Sequence, residues 1–161
     1  KTNYIFVEKT MSPELAAIIS RQEFRHIESL SLANSKVSVN DLAAIRTMPN
    51  CRFLDLEHAK LDDSSILVIA EKFPYIEFIN FRGATVGGTK FDALSKLKGK
   101  TPGLNLNNNV LYSRKELETF TKVCPQLGYL PINRIDDETC VPILKCQNLL
   151  GARSKWIRNS R

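Results

Sequence analysis

Two histidines, His26 and His58, and four cysteines, Cys51, Cys124, Cys140 and Cys146, are the side chains best suited to metal or nucleophilic chemistry in this sequence. Metal binding needs several such ligands at short, regular spacing, and no HxH, HExxH or paired CxxC occurs. Nucleophilic catalysis needs a Ser or Cys beside an oriented base. Both histidines fall in segments that read as strands or strand ends, and no GxSxG frame is present. His58, following Asp55 and Glu57, reads as a surface turn residue. The run "VGGTK" (86–90) lacks the GxxxxGK[ST] frame of a phosphate loop and reads as the entry to a helix. The expectation is a protein that is not an enzyme and holds no metal or small-molecule cofactor.

Recognition is the chemistry the sequence does offer. In "FPYIEFINFRGA" (73–84), Phe73, Ile76, Ile79 and Phe81 read as buried. Phe78 lies between two of them and must point to the other side of an extended chain. An aromatic residue there either meets a partner or covers another part of the same protein.

What positions Phe78 is a repeat. "IESLSL" (27–32), "CRFLDL" (51–56), "IEFINF" (76–81), "TPGLNL" (101–106) and "LGYLPI" (127–132) share one apolar template. Their inner apolar residues Leu30, Leu54, Ile79, Leu104 and Leu130 are separated by 24, 25, 25 and 26 residues. One period earlier stand Ile5 and Val7 in "YIFV", which makes six strand signals. Five residues beyond the last strand apolar comes another, at Val37, Leu61, Val86 and Leu111. Helical spacing follows in Leu42-Ile45-Met48, Ile66-Ile69-Phe73, Leu94-Leu97 and Leu117-Phe120-Cys124. Ser12-Pro13 and the Ser113/Glu116 capping box mark helix starts. Met48-Pro49, Phe73-Pro74 and Cys124-Pro125 mark the ends, where Pro stops a helix.

This template resembles the leucine-rich repeat, LxxLxLxxN/CxL. At the ninth position stand Thr10, Ser35, Ala59, Ala84, Asn109 and Ile135, mostly small, as in the ribonuclease-inhibitor-like and cysteine-containing types. The resemblance implies an α/β fold: a right-handed solenoid of about six repeats, with a parallel sheet on the concave face and full helices on the convex face. Residues 1–147 would form that domain, and 148–161 a basic C-terminal cap or linker.

Three columns then line the concave face. They are Tyr4, Ser29, Phe53, Phe78, Gly103 and Tyr129; Phe6, Ser31, Asp55, Asn80, Asn105 and Pro131; and Glu8, Ala33, Glu57, Arg82, Asn107 and Asn133. Phe53 and Phe78 are expected side by side, about 5 Å apart at the backbone. The expected partner-binding set is Phe6, Phe53, Asp55, Glu57, Phe78, Asn80, Arg82, Asn105 and Tyr129, with aromatic anchors flanked by polar groups.

Charge narrows the partner. The net charge is +6, but residues 145–161 carry five basic residues and no acid, leaving 18 basic against 17 acidic elsewhere. A nearly neutral body favours a protein partner on the concave face. RNA is the alternative, held by Arg153, Lys155 and Arg158 with Trp156 stacking a base. Leu149, Leu150, Trp156 and Ile157 could instead cap the open end of the core. No apolar run is long enough to span a membrane.

The thiols show no CxxC pair and no Asn-x-Ser/Thr sequon occurs, so an intracellular protein with reduced cysteines is expected, nuclear or cytoplasmic. Cys140 and Cys146 are expected on a core-facing helix. The chain opens at Lys1, so a preceding segment is expected, and a targeting peptide in it is left open.

Two narrower resemblances stand side by side. "MPNCRFLDL", "FPYIEFINF" and "CPQLGYLPI" are similar to the joints of F-box-type leucine-rich repeats, which implies substrate recognition for a ubiquitin ligase. "HIESLSLANSKV", "MPNCRFLDLEHAKL" and "LETFTKVCPQLGYLPI" resemble the leucine-rich-repeat domain of nuclear mRNA export factors. That family implies a non-catalytic domain assisting RNA and adaptor binding. Against it, this chain holds one repeat more, and Pro131 stands where that family usually has Asp.

Overall fold

The computed structural model describes residues 3–7, 10–61, 64–84, 88–99 and 103–105 together with Glu118, and for 88–91 the backbone alone. Five short strands alternate with helical segments, giving an α/β fold. Strands β1 (Tyr4–Phe6), β2 (Ser29–Ser31), β3 (Phe53–Asp55), β4 (Phe78–Asn80) and β5 (Gly103–Asn105) form one parallel sheet in chain order. The register follows the repeat, with Ile5 beside Leu30, Leu30 beside Leu54, Leu54 beside Ile79 and Ile79 beside Leu104. Leu130 lies outside the described residues.

One backbone hydrogen bond recurs just past each of the first four strands. The N–H groups of Val7, Leu32, Leu56 and Phe81 donate to the carbonyls of Ser31, Asp55, Asn80 and Asn105 at 2.9, 2.8, 2.8 and 2.8 Å. Side chains alternate across the sheet. Leu30, Leu54, Ile79 and Leu104 are fully buried, in one core with Ala16 and Ile19, Leu42, and Ile66 and Ile69 from the helical segments. The helical layer therefore covers one face of the sheet.

Local chemistry explains each helix. Helix α1 (Pro13–Ile19) starts at Ser12, whose hydroxyl accepts from the Leu15 N–H at 3.2 Å, with Pro at the first helical position. Glu14 sits in that first turn, and its own backbone N–H, then the Ser12 hydroxyl, lower its pKa. Helix α2 (Val39–Ala44) opens with a capping box in which Ser38 and Asp41 bond reciprocally. Helix α3 (Ser65–Lys72) buries Ile66 and Ile69 and stops at Phe73, before Pro74. The helices pack side by side, α1 on α2, α2 on α3, and α3 on a 3-10 helix, Gly88–Lys96.

Among the described residues the expected full helices are not what forms; the one expected at Leu117-Phe120-Cys124 lies outside them. α1, α2 and α3 have seven, six and eight residues, and the fourth connection is 3-10. Nor does Pro49 stop α2, which ends at Ala44 with Ile45 already extended. The chain leaves the helix early because its backbone has other partners: Arg46 N–H donates to the Ser20 hydroxyl at 2.8 Å and Met48 N–H to the Lys72 carbonyl at 2.7 Å. Ile45 and Met48 still reach the core, from a loop. Among the described residues no helix is long and apolar enough to cross a membrane.

Candidate functional site

The uncovered face of the sheet gathers Tyr4, Phe6, Phe53 and Phe78. Tyr4 is 54% exposed, Phe6 48% and Phe53 37%, values far from those of the alternate residues beneath them. Phe53 and Phe78 are paired in register, and their rings stack with centroids 5.3 Å apart and planes within 3°. The ring of Phe78 also leans over Gly103, the next residue of its column. A Cβ at Gly103 would meet that ring at 3.0 Å, a tight contact that would require the ring to shift by a few tenths of an ångström, so glycine here lets the ring lie where it does. The sequence-expected pair is therefore assembled, half-buried at Phe78 and open at Phe53.

The second and third columns form a connected polar network. Asp55 Oδ2 accepts from the Ser31 hydroxyl at 3.0 Å, and Asp55 Oδ1 from Asn80 Nδ2 at 2.8 Å. The same Asn80 amide donates to Glu57 Oε2 at 3.1 Å. Glu57 Oε1 lies 3.4 Å from Arg82 Nη1 and 3.6 Å from His58 Nε2. Asn105 follows in register, beside Asn80.

A backbone reason underlies the second column. Past β2, β3 and β4, the N–H two residues on makes no bond to the neighbouring strand and needs an acceptor. The side chain two residues back supplies it: Ser31 to Ala33 at 3.4 Å, Asp55 to Glu57 at 3.1 Å, and Asn80 to Arg82 at 3.2 Å. Sequence reading grouped Asp55 and Asn80 as partner contacts and missed this role. The available signal was a column of Ser, Asp, Asn and Asn, all carrying a short side-chain acceptor.

The turn that follows repeats as well. Asn34, His58 and Gly83, at equivalent positions, have φ of 58°, 54° and 62°. Left-handed backbone favours Gly and tolerates Asn and His, which explains the residue types. A Cβ on Gly83 would fall on the His58 imidazole, so the histidine packs where only glycine leaves room.

Among the described residues the candidate chemical groups do not converge. His58 is exposed in its turn and paired with Glu57, and His26 is exposed elsewhere. Cys51 is fully buried, its thiol donating to the Phe53 carbonyl at 3.3 Å, and burial pushes its pKa up to about 12. Such a thiol is protonated and unreactive at neutral pH. Among the described residues no three His, Cys, Asp or Glu side chains come together as metal ligands. Tyr129, Arg153, Lys155, Trp156 and Arg158 lie outside the described residues, as do Cys124, Cys140, Cys146 and the Ser113 capping box. No protein-family model matches the chain, and no curated protein matches it.

Proposed function

We propose that the chain is a leucine-rich-repeat solenoid, right-handed and of about six repeats, serving as a non-catalytic recognition module. Its open sheet face binds a partner protein, with Phe53 and Phe78 as anchors and Phe6 and Tyr4 extending the apolar surface. What supports the solenoid is the repetition itself, with four in-register strand pairs at the sequence period and the same backbone bond after the first four strands. What carries the binding reading is the stacked, partly exposed aromatic pair beside a polar network. Aromatic residues ringed by polar groups are the usual make-up of an energetic hot spot.

The polar groups act in second place on this reading. Asp55 and Asn80 hold the strand ends, while Arg82 has, beyond its ion pair with Glu57 among the described residues, further guanidinium N–H groups suited to a partner's carbonyls or carboxylates. The narrower assignments, an mRNA-export-type or an F-box-type factor, rest on the sequence resemblances. An RNA-recognition domain or an F-box in the full-length chain distinguishes them.

The test is selection of binders from a randomised peptide library on the wild-type protein, followed by titration against a Phe53→Ala/Phe78→Ala variant. The variant should fold and lose more than ~2 kcal/mol of affinity, roughly 30-fold. Binding to the aromatic face should change little between low and moderate salt, whereas phosphate contacts weaken steeply. Binders that ignore the double substitution would overturn the assignment.

A further inference from the structure

A second concentration of uncommitted groups lies where helices α1 and α2 end, and none of its residues belongs to the sheet. We propose that Arg21, Arg25 and Arg46 form a binding site for a phosphate monoester carried on a phosphorylated serine or threonine of a protein partner. The three arginines line one shallow, solvent-open depression with room for little more than a water molecule, about 10 Å3, and Phe24 and Met48 contribute apolar wall, so a phosphate would sit over it rather than in it.

Local structure brings them together. α1 ends at Ser20, whose hydroxyl accepts from the Arg46 N–H at 2.8 Å and donates to the Ala16 carbonyl at 2.6 Å. That bond ties the loop after α2 to the end of α1. Arg21 and Arg25 flank the 3-10 turn Gln22–Phe24, and Asn50 Nδ2 donates to the Arg25 carbonyl at 2.8 Å.

No acidic side chain lines the depression. Arg21 meets Glu23 at 3.8 Å, but both are well exposed and such a pair has little weight. Arg25 and Arg46 make no ion pair among the described residues. Three like charges on the lining of one depression repel one another, though solvent screens them because all three side chains are exposed. An anion relieves that repulsion. Guanidinium forks match phosphate oxygens, and a phosphate monoester brings nearly two charges where a carboxylate brings one.

A protein-borne phosphate fits better than single-stranded nucleic acid, because Phe24, the aromatic residue on the lining, is half-buried and so poorly placed to stack a base.

The experiment is a backbone-amide NMR titration at constant ionic strength with inorganic phosphate, a pentapeptide of phosphoserine between glycines, its unphosphorylated twin, and a 12-nucleotide single-stranded RNA. Phosphate and the phosphopeptide should shift the amides of Arg21, Arg25 and Arg46, and the twin should not. Arg25→Ala/Arg46→Ala should weaken phosphopeptide binding at least tenfold, with Arg46→Glu alone as the substitute should the double variant fail to fold. Lys36→Ala/Lys60→Ala, a pair of exposed lysines on neighbouring turns, should leave it unchanged. The proposal is overturned by absence of a phosphate-dependent shift, by equal loss in the lysine variant, or by tighter RNA binding through these same amides. None of these outcomes depends on the sheet face, so the aromatic site stands or falls separately.

Discussion

Two neighbouring columns on the open side of the sheet sit only two residues apart along each strand, yet their side chains serve different ends. Ser31, Asp55 and Asn80 turn back onto the backbone and onto one another. Phe53 and Phe78 stack on each other with one ring over a glycine, and Phe53 keeps more than a third of its surface exposed. The lesson concerns where functional information resides in a repeat. The polar column is dictated by a backbone N–H that recurs once per turn, so its residue types report the fold. The aromatic column answers to no such requirement, and on the function proposed above its residue types report a partner.

That contrast can be broken most easily on β3 itself. Leu54→Ala should cost about 2–5 kcal/mol in urea unfolding, because a fully buried Leu leaves a cavity. Phe53→Ala, one residue away on the open face, should cost no more than about half of that. Equal losses would mean that Phe53 is core.

The polar column should show the next largest effect. Asp55→Ala strips acceptors from the Ser31 hydroxyl, the Asn80 amide and the Glu57 N–H, and should cost about 1–3 kcal/mol. Asp55→Asn keeps an oxygen for the Glu57 N–H and should recover most of that loss. A charge-specific role would leave Asn as damaging as Ala.

Smaller again is the turn. Gly83→Ala should destabilise by about 1–2 kcal/mol through left-handed strain. Part of that penalty should vanish in a His58→Gly background, since the new methyl would otherwise meet the imidazole. A double-mutant cycle separates clash from strain.

Beneath β3, Cys51 gives an effect whose pH dependence shows only in the alkaline range. Its pKa is raised by burial from 9.0 to about 12, so its contribution is complete below pH 9. Between about pH 9 and 12 the unfolded chain ionises first, and this contribution to stability is lost as pH rises. A Cys51→Ala variant should lack that part of the alkaline decline in melting temperature.

How far the sequence carried the architecture can be argued from single residues. Alignment of Leu30, Leu54, Ile79 and Leu104 at one period is enough to set the sheet register, and with it the contact of Phe53 with Phe78. Helix lengths were not legible. Leu42, Ile45 and Met48 satisfy helical spacing, but a loop that folds back on the core meets the same apolar demand, and the bonds to Ser20 and Lys72 decide between them. The double life of Asp55 was hidden for a related reason, because a composition of polar residues does not say which backbone donor lacks a partner. The cluster of Arg21, Arg25 and Arg46 spans two connections and carries no spacing signal at all.

The central claim is that affinity resides in the aromatic column and fold in the polar one. It is tested most directly by fluorescence anisotropy of a peptide selected on the wild-type protein, titrated with Phe53→Ala/Phe78→Ala and with Asp55→Asn. The double aromatic variant should bind at least about 30-fold more weakly while still unfolding cooperatively, and the Asp55 variant should stay within about threefold of wild type. The reverse order, with Asp55→Asn the more damaging to binding, would contradict the account.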